Sequence, residues 1–157
     1  MHATAREFFE SAREAARDAE RIRRQLAAIE SRSLSLGGGG YEGRVRSTPD
    51  PDRIGASVSA MLDQTDRLRE RADEDYAIID AACRVLYGAD NRSGLYALVG
   101  WPADAIYHHY LALRTWEATA AMLGYSVQHV RRQVLYALDL ADANGQMWTE
   151  LGRGMAT

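Results

Sequence analysis

The sequence predicts an all-α protein, a long antiparallel coiled-coil helical hairpin followed by a C-terminal unit of three shorter helices. Three patterns point to it. Small or apolar residues recur in steps of four and three from Phe8 to Ile29, and again from Ile54 to Leu86. Between these seams lies a stretch rich in glycine and serine. After them, residues 115–138, TWEATAAMLGYSVQHVRRQVLYAL, place apolar residues at helical spacing on both sides of a glycine.

The first helix is expected from Thr4 to Glu30. Its seam of Phe8, Ala12, Ala15, Ala19, Ile22, Leu26 and Ile29 has the heptad rhythm of a helix about 39 Å long at roughly 1.5 Å per residue. Glu20 and Arg24 stand in the favourable i, i+4 order on a charged face. Residues 31–50, with four consecutive glycines and Pro49, predict a mobile loop, because glycine-rich chain lacks side chains to offset its ordering entropy. A plain mobile loop is the expectation; the alternative is a functional loop in which Arg44 and Arg46 contact a phosphate.

Pro51 suits the first turn of a second helix running to about Tyr87. Its seam reads Ile54, Val58, Met61, Thr65, Leu68, Ala72, then Asp75 or Tyr76, Ile79, Ala82 and Leu86. Two seams joined by a loop predict an antiparallel hairpin arm over residues 1–90. Alanines offer little apolar area and a lone hairpin buries too little surface, so the arm is expected to form a homodimer, as a four-helix bundle, or else to fold back on the C-terminal unit.

Residues 91–143 form the predicted three-helix unit, after a loop at Gly88–Ser93. A short helix from roughly Gly94 to Val99, or a distorted start to the next one, is followed by the breaker Gly100-Trp101-Pro102, and Pro102 opens a helix through about Leu113. Thr115 caps the next helix, Ala120 lets a partner cross closely, and Gly124 supplies the positive φ of a tight turn that Tyr125 and Val130 plug. Ser126 then caps a final helix. That is a helix-turn-helix, and Val127, Gln128, His129, Arg131 and Arg132 lie along the start of its second helix, where Gln can read adenine and Arg guanine or a phosphate. With Thr115 and Ser126 these are the candidate DNA-binding residues. The tail, 144–157, follows a stop at Asn144 and Gly145; Trp148, Leu151 and Met155 are expected to pack as a short last helix or else to be offered to a partner, packing being the commoner fate of such residues.

The stretch WPADAIYHHYLALRTWEATAAMLGYSVQHVRRQVLYAL resembles region 4 of bacterial sigma factors and, more closely, the C-terminal part of phage transcriptional activators of the ArpU and RinA type. Tyr110, Thr115, Trp116, Glu117, Ala120, Met122, Gly124, Tyr125, Ser126, Val130, Ala137 and Leu138 carry the likeness. It implies control of late phage genes through double-stranded promoter DNA or RNA polymerase. His108 and His109 before Tyr110 depart from the pattern.

Composition bounds the reading. With 46% hydrophobic and 26% charged residues the chain should fold. All 19 basic residues are arginine and the net charge is −3. Residues 1–90 hold 14 Arg against 17 acids, and residues 91–157 hold 5 against 5. This balance argues against a non-specific DNA coat, since such binding comes from neutralising many phosphates. Any DNA contact rests on a few placed arginines.

Enzymatic chemistry is not expected. No GxxxxGK[ST] or GxSxG motif occurs, and the acidic run Asp73–Asp75 reads as a wet helix face. His108 and His109, about 100° apart on a helix, cannot share a metal as i, i+4 ligands do, and no cofactor or metal is expected. The single cysteine, Cys83, the lack of a signal sequence and the lack of a long apolar run predict a bacterial host cytoplasm and no membrane. Two rivals remain: a phage packaging or assembly adaptor like a small terminase subunit, and a helical module that binds only protein.

Overall fold

The computed structural model describes residues 2, 4–37 and 51–145, and every regular element among them is helical. The elements are α1 (Ala5–Gly37), α2 (Pro51–Tyr87), α3 (Gly94–Val99), α4 (Trp101–Ile106), a π-helical turn (Tyr107–Leu111), α5 (Trp116–Leu123) and α6 (Val127–Ala143). The all-α expectation holds. None of the described helices is long and apolar enough to cross a membrane.

α1 continues past Glu30 to Gly37. The serines that read as a loop are accommodated within the helix: Ser33 and Ser35 donate to the carbonyls of Glu30 and Arg32 at 2.8 and 2.9 Å, satisfying their hydroxyls without leaving helical geometry. From residue 38 to 50 the expected loop, with Arg44 and Arg46, lies outside the described residues, as does the tail from residue 146, with Trp148, Leu151 and Met155. α2 keeps its expected bounds.

The chain divides into two units. Within the described residues, one is built from the chain up to Asp18 and from Asp75 onward; the other is Ala19–Glu74. α1 and α2 each contribute to both. We call them the core unit and the two-helix unit.

In the core unit, Phe9 and Ala12 of α1, Leu86 of α2, Ile106 of α4, and Val130 and Ala137 of α6 are all at most 1% exposed and belong to one cluster. Alanine recurs at its contacts, at Ala82, Ala103, Ala105 and Ala120. Small side chains let helices approach closely, so helices of six to eight residues can still bury their inward faces. Polar ties fix the ends. The Asp142 carboxylate of α6 accepts from the Ala5 backbone N–H at 2.7 Å, and Thr4 Oγ1 accepts from Glu7 N–H at 3.2 Å. Both satisfy free donors at the start of α1, and the Asp142 charge complements its helix dipole. Tyr87 donates its hydroxyl to Asp104 at 2.7 Å, joining α2 to α4; burial and this carboxylate push the phenol pKa well above its usual range.

Between α2 and α3, Asp90 Oδ1 accepts from Arg92 N–H, Ser93 N–H and the Ser93 hydroxyl at 2.8–3.0 Å. Those bonds favour the carboxylate and hold its pKa below the ordinary value. Gly94 follows with φ +71°, and a Cβ built there would lie 2.7 Å from the Val85 carbonyl oxygen and 2.9 Å from the Leu86 carbonyl carbon. Only glycine allows α3 to start so close to the end of α2.

In the two-helix unit the seam is real but thin. Ala19, Ile22 and Ala72 are buried, whereas Leu34, Val58 and Leu62 are 71%, 45% and 57% exposed. Thr65, at a seam position, turns its hydroxyl onto the Met61 carbonyl at 2.9 Å. Glu20 bonds Arg23 and Arg24, and the Arg23 bond leads in holding its carboxyl down to about 2.

Candidate nucleic-acid interface

The α5–α6 reversal is built as the residue types require. Thr115 accepts from Ala118 N–H at 3.1 Å and opens α5. At its end, the N–H groups of Gly124 and Tyr125 both donate to the Ala120 carbonyl, at 3.0 and 3.1 Å. Gly124 sits at φ 77°, ψ 26°, the left-handed region that a β-carbon penalises. Ser126 then accepts from His129 N–H at 3.3 Å and starts α6. Ala120, Val130, Val134, Ala137 and Leu138 are all buried, so α6 turns one face fully inward.

The opposite face carries Gln128, Arg131 and Arg132, all exposed. The other candidates have structural duties. The Thr115 and Ser126 hydroxyls are occupied as helix caps. Val127 is half-buried and packs against the core rather than facing outward. His129 lies among rings, 5.7 Å from Trp101 and 5.3 Å from Tyr125, rather than standing alone in solvent. Tyr125 does not plug the angle between the helices; it stacks on Trp101 at 4.4 Å and 19° and stays 45% exposed. Its flat ring finds a partner in α4, outside the helix pair.

The predicted continuous helix from Pro102 to Leu113 is instead α4 followed by a π turn. The bond from Ala112 N–H to the Tyr107 carbonyl, 3.0 Å, closes the wider loop. His109, Tyr110 and Leu111 are consecutive and all buried, whereas in an α-helix three successive side chains fan over roughly 200°. Leu113, at φ 59°, then turns the chain towards α5. π turns often mark functional positions.

His109 is the centre of that turn. It is 6% exposed, and its ring stacks on Trp116 at 3.6 Å and 16°. Nδ1 lies 2.9 Å from the Arg114 carbonyl oxygen, which can only accept, so Nδ1 carries the proton. Burial, reinforced by the Arg13 charge, pushes the imidazole down to about 4 and keeps it neutral. Nε2 is therefore a lone-pair acceptor, and the Arg13 guanidinium donates to it. On the α6 side, the Arg131 guanidinium lies over the Trp116 ring, 5.9 Å from its centroid. Neither the Arg13–His109 contact nor the Trp116 stack is visible in the linear sequence, where Arg13 reads as one more cation on a wet face.

His108, beside it, points elsewhere, its Nδ1 buried without a hydrogen-bond partner. Among the described residues no three His, Cys, Asp or Glu side chains gather as a metal site. Cys83 is half-buried, and burial raises its thiol pKa. Comparison with family models, with curated proteins and with solved structures finds no match to this chain.

Proposed function

We propose that the protein is a non-enzymatic, DNA-binding regulator of the phage type, acting in the bacterial host cytoplasm, with α6 as the helix that enters the major groove. One observation carries this reading. The Gly124 reversal leads into a Ser126-capped helix whose inner face is fully buried while Gln128, Arg131 and Arg132 remain exposed on the other. Gln bonds the adenine edge and Arg the guanine edge bidentately, so this trio has sequence-reading chemistry. Gln128 and Arg132 take the base contacts in this reading, and Arg131, lying over Trp116, faces the phosphate backbone.

With a net charge of −3, one copy has little general attraction for DNA. Two copies associated through the two-helix unit gain affinity by engaging two half-sites at once, and the exposed Val58 and Leu62 are the surface for that homodimer. Half-sites would then fall about 34 Å apart or at a multiple of it. Sedimentation of the Val58→Ser, Leu62→Ser double variant should show a monomer where the native chain is a dimer.

The test of the reading is selection from a random duplex library. The native chain should enrich a defined motif, and Gln128→Ala with Arg132→Ala should lose it while keeping the native thermal midpoint. Enrichment of nothing by the native chain would remove the proposal. A second reading is favoured by Leu135 and Tyr136, 50% and 60% exposed on α6: apolar side chains beside the cationic face suit a protein partner such as RNA polymerase. Retention of the polymerase by a chain that selects no DNA would favour it.

A further inference from the structure

We propose that the core unit contains a binding site for a phosphate-type anion, in the cavity between the start of α1, the π turn and the α5–α6 pair. The site goes beyond the DNA reading and stands without it. The cavity has a volume of about 280 Å³ and is lined by Arg6, Glu10, Arg13, His109, Trp116 and Arg131, with an apolar wall from α6.

The charges do not cancel. Glu10 is taken by Arg6, Nε to Oε1 at 3.2 Å. Among the described residues, Arg13 and Arg131 form an ion pair with no carboxylate. Arg13 instead donates to a neutral imidazole, and its Nε is buried with no hydrogen-bond partner. Two guanidiniums lining one partly enclosed space repel each other more strongly than they would in bulk water. A bound anion removes that penalty.

The arrangement is also pre-set. His109, fixed as an acceptor by the Arg114 carbonyl, holds Arg13; Trp116, stacked on His109, holds Arg131. The four form a continuous chain of contacts, so little side-chain entropy is lost when an anion arrives. Guanidinium forks reaching in from two different helices suit tetrahedral oxygens better than the single plane of a carboxylate. A cavity of about 280 Å³ falls just under the roughly 300–1,000 Å³ of ordinary small-molecule sites and has room for phosphate or pyrophosphate. The phosphate is either a free ion or part of a nucleic-acid backbone.

The experiment is a titration of the isotope-labelled full chain with inorganic pyrophosphate at fixed ionic strength, following the Trp116 indole N–H by magnetic resonance. A saturable shift is expected, with a dissociation constant below about 10 mM. Arg13→Gln and Arg131→Gln should each weaken it at least about tenfold, and the neighbouring Arg132→Gln should leave it unchanged. Thermal midpoints confirm folding, and if one cavity variant unfolds the other carries the test. A shift that never saturates, or that survives both cavity variants, overturns the proposal; so does equal loss in Arg132→Gln. A DNA duplex that moves the same signal, and fails to in Arg13→Gln, assigns the phosphate to nucleic acid; a duplex that leaves it still, while pyrophosphate moves it, assigns it to a free anion.

Discussion

The core unit and the two-helix unit draw on the same two long helices but use them differently. In the core unit α1 buries Ala5, Phe8, Phe9 and Ala12, two adjacent stripes that together make a wide inward face. In the two-helix unit it buries Ala19 and Ile22 along one stripe, and α2 adds Ala72. A heptad seam buries only a line; width comes from further elements, which α3 to α6 supply to the core unit alone. Burial therefore concentrates in the core unit, and the two-helix unit leaves Leu34, Val58 and Leu62 exposed.

Substitutions should separate the units sharply. Gly94→Ala forces a Cβ to 2.7 Å from the Val85 carbonyl oxygen at φ +71° and should cost about 3 kcal/mol or more. Leu86→Ala, at a fully buried core position, should cost about 2–5 kcal/mol. Both are read from denaturant midpoints. Their counterparts in the two-helix unit should be mild. A Cβ at Gly55 meets nothing within 4 Å, so Gly55→Ala should stabilise α2 by about 0.5–1 kcal/mol, and Leu34→Ala, at a position 71% exposed, should stay within about 0.5 kcal/mol. Equal losses in both units would break the comparison.

A pH effect of intermediate size belongs to the core unit. His109 is held down to about 4 in the fold, from an ordinary 6.5. Between those values the unfolded chain takes up a proton that the folded chain refuses. The stability contribution is therefore present above pH 6.5 and is lost as pH falls towards about 4. The expected loss is roughly 1–3 kcal/mol, and His109→Gln should flatten that part of the profile. An unchanged slope in the variant would show that the imidazole does not carry it.

The parts of this fold that are local in sequence were legible in it. Pro51 marked the start of α2, Thr115 and Ser126 marked caps, and Gly124 marked the reversal, because each acts through its own backbone and its immediate neighbours. The seam left Asp75 or Tyr76 open; in the structure Asp75 is half-buried and Tyr76 is 52% exposed, so hydrophobicity alone is a poor guide there. The rest depends on distance or on small backbone changes. Serines in α1 look like loop until their hydroxyls are seen bonding back to the helix. A π turn adds one residue to a helical pattern and hardly disturbs its apolar spacing, so His109 gave no sign of facing inward. The Arg13–His109 contact joins residues 96 apart, and no local pattern encodes it.

The proposed function requires the exposed face of α6 to meet DNA. Mapping amide shifts across the labelled chain as a random-sequence duplex is added at low salt tests it most directly. Perturbations centred on Gln128, Arg131 and Arg132 that fade as salt rises are expected. Shifts absent from α6, or confined to elements far from it in sequence, would contradict it.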